Sequence, residues 1–346
     1  MTGTRKTSGS ERRPAFAPEG VCGVKIPVLC LLGPTGSGKT GLTTSIAGEW
    51  QNLMPSLDGC VIINADSRQV YRDFPIITAQ PGRAEIESCP HRMYGFLNTS
   101  EKFCAGTFAR MAREAILLAI GENRLPVLVG GTGLYFRSLL SGIAPIPKIP
   151  QGVTDFWLER LREEGPEAMH LLLSSYDKDY AAVIHPRDSQ RIVRALSVWQ
   201  STGHTFSWWH SQPLPESPYE PVMLGISLPM DELEPRLHKR ILQMLEEGAL
   251  HEAEKALALC PDPEAPGWSG IGCAELRGHL EGRLGLDECV NLWFKNTRAY
   301  AKRQKTWFNK EPKEAVWLRP DQENEALAYL RDQLNRLEYV RILKIR

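Results

Sequence analysis

Residues 28–40, VLCLLGPTGSGKT, decide the fold. Val28–Leu32 is an apolar run with the length and boundaries of a buried strand. It passes directly into Gly33-Pro34-Thr35-Gly36-Ser37-Gly38-Lys39-Thr40, the complete phosphate-loop pattern. Gly36 and Gly38 free the backbone to curl so that several N–H groups converge on one point. Lys39 adds a positive charge there. Thr40 offers a hydroxyl to Mg²⁺, and the helix expected to begin there presents the positive end of its dipole. The loop asks for a diphosphate or a triphosphate, such as ATP. It does not say which, or what is done with it. The alternative is a glycine-rich turn with no ligand.

Working outward, residues 41–51 continue as a helix. Val61-Ile62-Ile63-Asn64 reads as a second buried strand and ends in Ala65-Asp66-Ser67-Arg68-Gln69-Val70-Tyr71. In open α/β sheets ligands sit beyond the carboxyl ends of the strands, so Asp66 is expected at the same rim as Lys39. The alternative is that Asp66 only caps the helix that follows. Residues 103–122 have helical spacing and suit a crossover. Leu125–Val129 is a third buried strand, ending in Gly130-Gly131-Thr132-Gly133 at the rim again. The paired glycines permit close backbone approach to a ligand, or simply a tight strand-to-helix turn. Strands alternating with helices predict an α/β fold: a P-loop core with a mostly parallel sheet flanked by helices.

Pro145, Pro147 and Pro150 interrupt this pattern. Helices and no strand are expected from there to Ser211: 155–164, 166–175 and, most clearly, 188–202, with Asp188 at the N-cap and Gly203 past the end. After Pro213, Pro215, Pro218 and Pro221 the chain returns with a strand at 222–227. Residues 147–212 are therefore expected to be an all-helical insertion domain. It splits a core made of 25–146 and 213–346, with 1–24 as a disordered tail. Beyond the insertion lie expected helices at 230–247, 248–259 and 286–309, a loop at 264–271, a short strand at 315–318 and a final helix. No internal repeat is present.

In 346 residues, 41 Lys and Arg balance 41 Asp and Glu, so any nucleic-acid surface must be local. Eight cysteines (Cys22, Cys30, Cys60, Cys89, Cys104, Cys260, Cys273 and Cys289) form no close pair and no zinc-ligand spacing. They read as reduced residues, several of them in apolar core runs, of a cytoplasmic protein. No apolar run reaches the length of a membrane helix, and no secretory leader precedes the core.

Local positive charge does exist. Between Glu288 and Glu311 there is no acidic residue, while Lys295, Arg298, Lys302, Arg303, Lys305 and Lys310 fall in the window. Trp293, Phe294, Thr297, Tyr300, Ala301, Gln304, Trp307 and Phe308 recur at three-and-four spacing, one mainly apolar stripe. The cations fall off that stripe. Such a helix has the footprint of a phosphate-backbone contact, or is an ordinary solvated face. Arg187, Arg191 and Arg194, with Gln190, form a second cluster in the insertion.

These stretches, taken in order, resemble the tRNA dimethylallyltransferase (isopentenyltransferase) family. The match runs from about Pro27 to Leu318. Its parts are residues 33–40, ADSRQVY at 65–71, TAQP at 78–81, PHR at 90–92, GGTGLYF at 130–136, HPRDSQRIVRAL at 185–196 and TRAYAKRQKTWF at 297–308. The resemblance implies transfer of a dimethylallyl group from its diphosphate to N6 of the adenosine just 3′ of the tRNA anticodon. This occurs in tRNAs that read codons beginning with U, with Mg²⁺ as cofactor. It implies diphosphate or nucleotide binding by Gly33 to Thr40 and Arg240, with Mg²⁺ at Thr40. Catalytic roles fall to Asp66 as base, Thr132 and Lys39. It implies tRNA contacts by Asp66, Ser67, Arg68, Gln69, Thr132, Gln190, Arg191, Ile192, Val193, Arg194, Arg298, Lys302, Arg303 and Lys305. A monomer free of membrane is expected, of bacterial type because no Cys/His module closes the chain. The sequence departs from the family at Ile271-Gly272-Cys273-Ala274-Glu275, where an aromatic and a basic residue are usual, and at Tyr94-Gly95-Phe96, where many members carry an aspartate. The rival classes that share the loop are a small-molecule kinase and a non-enzymatic RNA-binding module.

Overall fold

The computed structural model describes residues 25–337, so the expected tail 1–24 lies outside the described residues. Six strands form one sheet: β1 (Ile26–Leu32), β2 (Cys60–Asn64), β3 (His91–Arg92), β4 (Leu125–Gly130), β5 (Tyr219–Ile226) and β6 (Val316–Leu318). Their order is β3-β2-β4-β1-β5-β6. Every pairing is parallel, where a mostly parallel sheet was expected. The two-residue edge strand β3 is too short to carry a period in the sequence.

The central strands are apolar throughout because both faces are covered. Alternate residues serve opposite cores. Leu29, Leu31, Ile62, Val127 and Leu224 face a core shared with helices Lys39–Gly48 and Glu323–Arg336. Val28, Cys30, Leu32, Val61, Ile63 and Leu128 face helices Ala105–Gly121 and Gly133–Leu140. Cys30 and Cys60 are part of this packing, and burial pushes the Cys30 thiol far up.

Register sets the functional rim. Leu32 lies opposite Gly130 on one side and Gly225 on the other, and Asn64 lies opposite Val129. The chain therefore leaves β1, β2 and β4 at one level, and the segments that follow them meet there.

Between β4 and β5 stands a helical body with its own core of Trp157, Met169, Leu173, Ile192, Val193 and Leu196. The segment Gln151–Tyr176 turns at Gly165, whose φ of 78° breaks it ahead of Pro166. Helix Ser189–Thr202 is capped by Asp188, which accepts the Arg191 amide, and ends at Gly203 with φ 72°. Asp177 accepts the amides of Tyr180 and Ser207, tying together helices Lys178–Val183 and Phe206–Ser211. A further core joins Phe74 and Trp268, ring centroids 5.1 Å apart, to helices Met230–Glu246, Ala249–Leu259, Cys273–Leu280 and Leu286–Phe308. Glu252 fastens this core to the β2 side by accepting the amides of Ile76 (2.7 Å) and Ile77 (2.9 Å).

Candidate active site at the sheet rim

The loop after β1 curls as its glycines require. Gly38 has φ 98° and stands at the N-cap of helix Lys39–Gly48, a backbone conformation that glycine adopts without strain. Lys39 is folded back on the loop, with Nζ donating to the carbonyls of Gly33 (2.9 Å) and Pro34 (2.8 Å). Burial brings its pKa down to about 8. Asp66 opposes that shift and Arg240 adds to it, so the three groups share one field. Ser37 is fully buried, and its Oγ has no partner among the described residues. A buried hydroxyl in that condition favours an incoming oxygen.

A cavity of about 310 Å³ opens over the loop. Its walls include Lys39, Thr40, Asp66, Arg236 and Arg240, with Ile62, Pro81, Tyr94 and Val129 supplying an apolar side. Burial lowers the pKa of Arg240, and Asp66 pulls it back up. Arg236 went unnoticed in the sequence, although it stands one helical turn before Arg240 and so shares its face. One cationic end and one apolar side suit an amphiphilic diphosphate.

Asp66 makes a local turn, its Oδ1 accepting the Arg68 amide at 2.8 Å. No helix starts there, so the capping alternative becomes an Asx turn. Among the described residues no hydrogen bond is made to Oδ2. Asn64 steadies the turn by accepting the Asp66 amide at 2.8 Å and donating to the carbonyls of Asp66 and Met93. Thr132, after β4, accepts the Ser67 amide at 3.0 Å, which joins the two lips of the rim. Tyr300 borders the same lip. Burial and Asp66 raise its phenol to about 12, and its contact with Thr132 opposes the rise.

The remaining expected contacts divide. Gln69 spends its amide on the carbonyls of Thr78 (3.1 Å) and Ala79 (2.5 Å), shaping the loop that walls the cavity. Arg68 reaches Ser269 Oγ (3.0 Å) and the Pro266 carbonyl (3.3 Å). Ile192 and Val193, 0% and 4% exposed, are core residues of the helical body. Their side chains are not an RNA surface, because apolar positions on the inner face of that helix belong to its packing. Gln190, Arg191 and Arg194 are exposed, but Arg191 pairs with Asp188 and Arg187 with Glu167.

The basic helix Leu286–Phe308 also corrects the expectation of an unpaired face. Arg298 is bonded to Glu234 on helix Met230–Glu246, and Lys305 donates to the Leu228 carbonyl. The counter-charge for Arg298 comes from a carboxylate 64 positions away, and Lys305 is satisfied by a neutral backbone carbonyl 77 positions away. Lys302 and Arg303 remain exposed, Arg303 lying over the Tyr300 ring. The departure at Cys273 has a packing reason, since Cys273 is buried and Glu275 accepts the Gly272 amide at 2.6 Å and the Asn296 side-chain amide at 2.6 Å; Ala274 is exposed, and nothing in the structure explains it.

No group of three or more His, Cys, Asp or Glu is gathered among the described residues. Mg²⁺ keeps several waters and takes one or two protein oxygens plus substrate phosphates, so it needs no such cage. The Thr40 hydroxyl in the cavity wall fits that role.

A parallel sheet with a phosphate loop, an opposed carboxylate and two arginines defines a P-loop α/β protein. A family model described as IPP transferase matches residues 69–311, and the chain belongs to that family. It is 54% identical over 287 residues to the tRNA dimethylallyltransferase of Oleidesulfovibrio alaskensis, covering 83% of this chain and 92% of that one. It is 51% identical over 296 residues to the Desulfovibrio desulfuricans protein of the same name, covering 86% and 89%. Among solved structures, the tRNA isopentenylpyrophosphate transferase of Bacillus halodurans matches at TM-score 0.65 and 30% identity, over 93% of this chain and all of that one. A eukaryotic dimethylallyltransferase acting on tRNA matches at TM-score 0.75 and 26% identity, over 90% and 80%.

Proposed function

We propose that the protein transfers the dimethylallyl group of dimethylallyl diphosphate to N6 of the adenosine just 3′ of the tRNA anticodon. Diphosphate is released and N6-dimethylallyladenosine remains, in tRNAs that read codons beginning with U. The observation that carries this reading is the shared cavity of Lys39, Arg236, Arg240 and Asp66, with Thr132 on the lip above it.

The chemistry follows from these groups. An adenine amine is a weak nucleophile because its lone pair is delocalised into the ring. The allylic C–O bond breaks readily once the charge on the departing diphosphate is held, leaving the carbon open to the amine. Loop amides, Lys39, Arg236 and Arg240 hold that growing charge. Mg²⁺, when bound with Thr40, would neutralise part of the same charge. Oδ2 of Asp66 takes the N6 proton as the new C–N bond forms, while Oδ1 stays engaged with the Arg68 amide. The adenine leaves its stack to reach the rim, where Thr132 and Ser67 line its approach. Lys302, Arg303, Gln190 and Arg194 supply the exposed charge and polarity that meet the RNA backbone. On this reading the protein acts as a monomer in the cytoplasm, where its tRNA substrate is found. Among the described residues no helix is long and apolar enough to cross a membrane.

The test is incubation with labelled dimethylallyl diphosphate and bulk tRNA. Label entering RNA is expected. ADP release from ATP without label transfer would support a kinase or an ATPase-like module instead.

A further inference from the structure

Gln304 was part of the apolar stripe in the sequence and has no place in the proposed chemistry. It is nevertheless one of the most closely held polar side chains near the site. It is 5% exposed, and its amide spans two segments. Oε1 accepts the Thr35 amide at 2.9 Å, and Nε2 donates to the Gly131 carbonyl at 2.9 Å. Thr35 belongs to the loop that holds the donor. Gly131 immediately precedes Thr132, on the lip that faces the acceptor.

The fit leaves no slack. A Cβ on Gly131 would stand 2.2 Å from Gln304 Nε2 and 3.1 Å from the Gly33 carbonyl oxygen. One turn earlier on the same helix, Tyr300 borders Thr132; one turn later, Trp307 lies where a Cβ on Gly133 would stand, 1.9 Å from its Nε1. The basic helix is therefore laid across both lips, and Gln304 is the residue bonded to each. Both of its partners are backbone groups, so the distance between the lips is set by one rigid amide.

We propose that Gln304 is a positioning residue that fixes the distance between the donor's reacting carbon and the acceptor nitrogen. The inference rests on the transferase reading. It assigns Gln304 no contact with either substrate. Its effect should fall on the rate of transfer and not on the affinity for either partner. A displacement of roughly 1 Å between reacting groups costs on the order of 10²-fold. Gln304→Leu removes both bonds. Gln304→Glu keeps an acceptor for the Thr35 amide but sets a carboxylate oxygen against the Gly131 carbonyl.

The experiment is single-turnover transfer with both substrates saturating, alongside inorganic diphosphate binding by calorimetry, tRNA binding by filter retention, and melting temperature. Gln304→Glu is the variant expected to stay folded if Gln304→Leu does not. The expected result is a rate lower by roughly 10- to 100-fold, with both dissociation constants within about threefold of wild type. Because Gln304 acts through the Thr132 lip, its substitution should cost less in a Thr132→Ala background than alone. An unchanged rate overturns the proposal. So does a loss of rate matched by an equal loss of diphosphate affinity, or full additivity with Thr132→Ala. A wild type that transfers no label at all would overturn the transferase reading itself, which separates the two failures.

Discussion

The sheet rim and the basic helix are both charged, and both were marked out by their residues, yet the structure treats them differently. At the rim Lys39, Asp66 and Thr132 come from segments that directly follow strands, and the local sequence places them, while Arg236 and Arg240 reach the cavity from helix Met230–Glu246. On the helix Leu286–Phe308 the charges are sorted by partners far along the chain. Glu234 takes Arg298 and the Leu228 carbonyl takes Lys305, while Lys302 and Arg303 are exposed and have no ion-pair partner among the described residues. The lesson is that a backbone-built site can be read from spacing, whereas the availability of a side-chain charge depends on what folds against it.

The rim should break first and hardest. Asp66→Asn keeps the Asx turn with the Arg68 amide and should lose roughly 10²–10⁴ in single-turnover rate with saturating tRNA. A near-normal rate would leave Asp66 as a turn residue only. Lys39→Ala should weaken donor binding and slow transfer together, because the charge it meets grows in the transition state. The lysine also carries a pH signature. Burial sets its pKa near 8, so the ammonium is present below that pH and lost above it. Diphosphate affinity should therefore fall as pH rises through about 8 in the wild type, and that decline should be absent in Lys39→Ala.

The helix should give smaller and divided effects. If Lys302 and Arg303 meet phosphates, each alanine substitution should make the salt dependence of tRNA binding shallower by about 0.7–0.9 in log–log slope. Donor binding should not change. Lys305→Ala should leave that slope alone and instead cost about 1–2 kcal/mol of stability, because it strands the Leu228 carbonyl. Parallel salt lines for all the variants would return the whole helix to a solvated face.

What was legible follows the same division. The phosphate loop, the strands around it and the capped helix Ser189–Thr202 each carry a local signature, and each stands where its residues place it. Edge strand β3 and helix Cys273–Leu280 carry none, the first being two residues long and the second following a run of glycines and a proline. The Lys305 bond and the two bonds of Gln304 join residues between 77 and 269 positions apart, so no window of sequence contains them. Ile192 and Val193 were placed on an RNA surface by resemblance, although their helical period already pointed inward.

The central claim is that the rim joins a dimethylallyl group to a tRNA adenosine. Its most direct test is nucleoside analysis by mass spectrometry after the purified protein has acted on tRNA with dimethylallyl diphosphate and Mg²⁺. The account predicts that the adenosine 3′ of the anticodon becomes N6-dimethylallyladenosine, one diphosphate appearing for each. Unmodified tRNA alongside hydrolysis or phosphoryl transfer from ATP would contradict it.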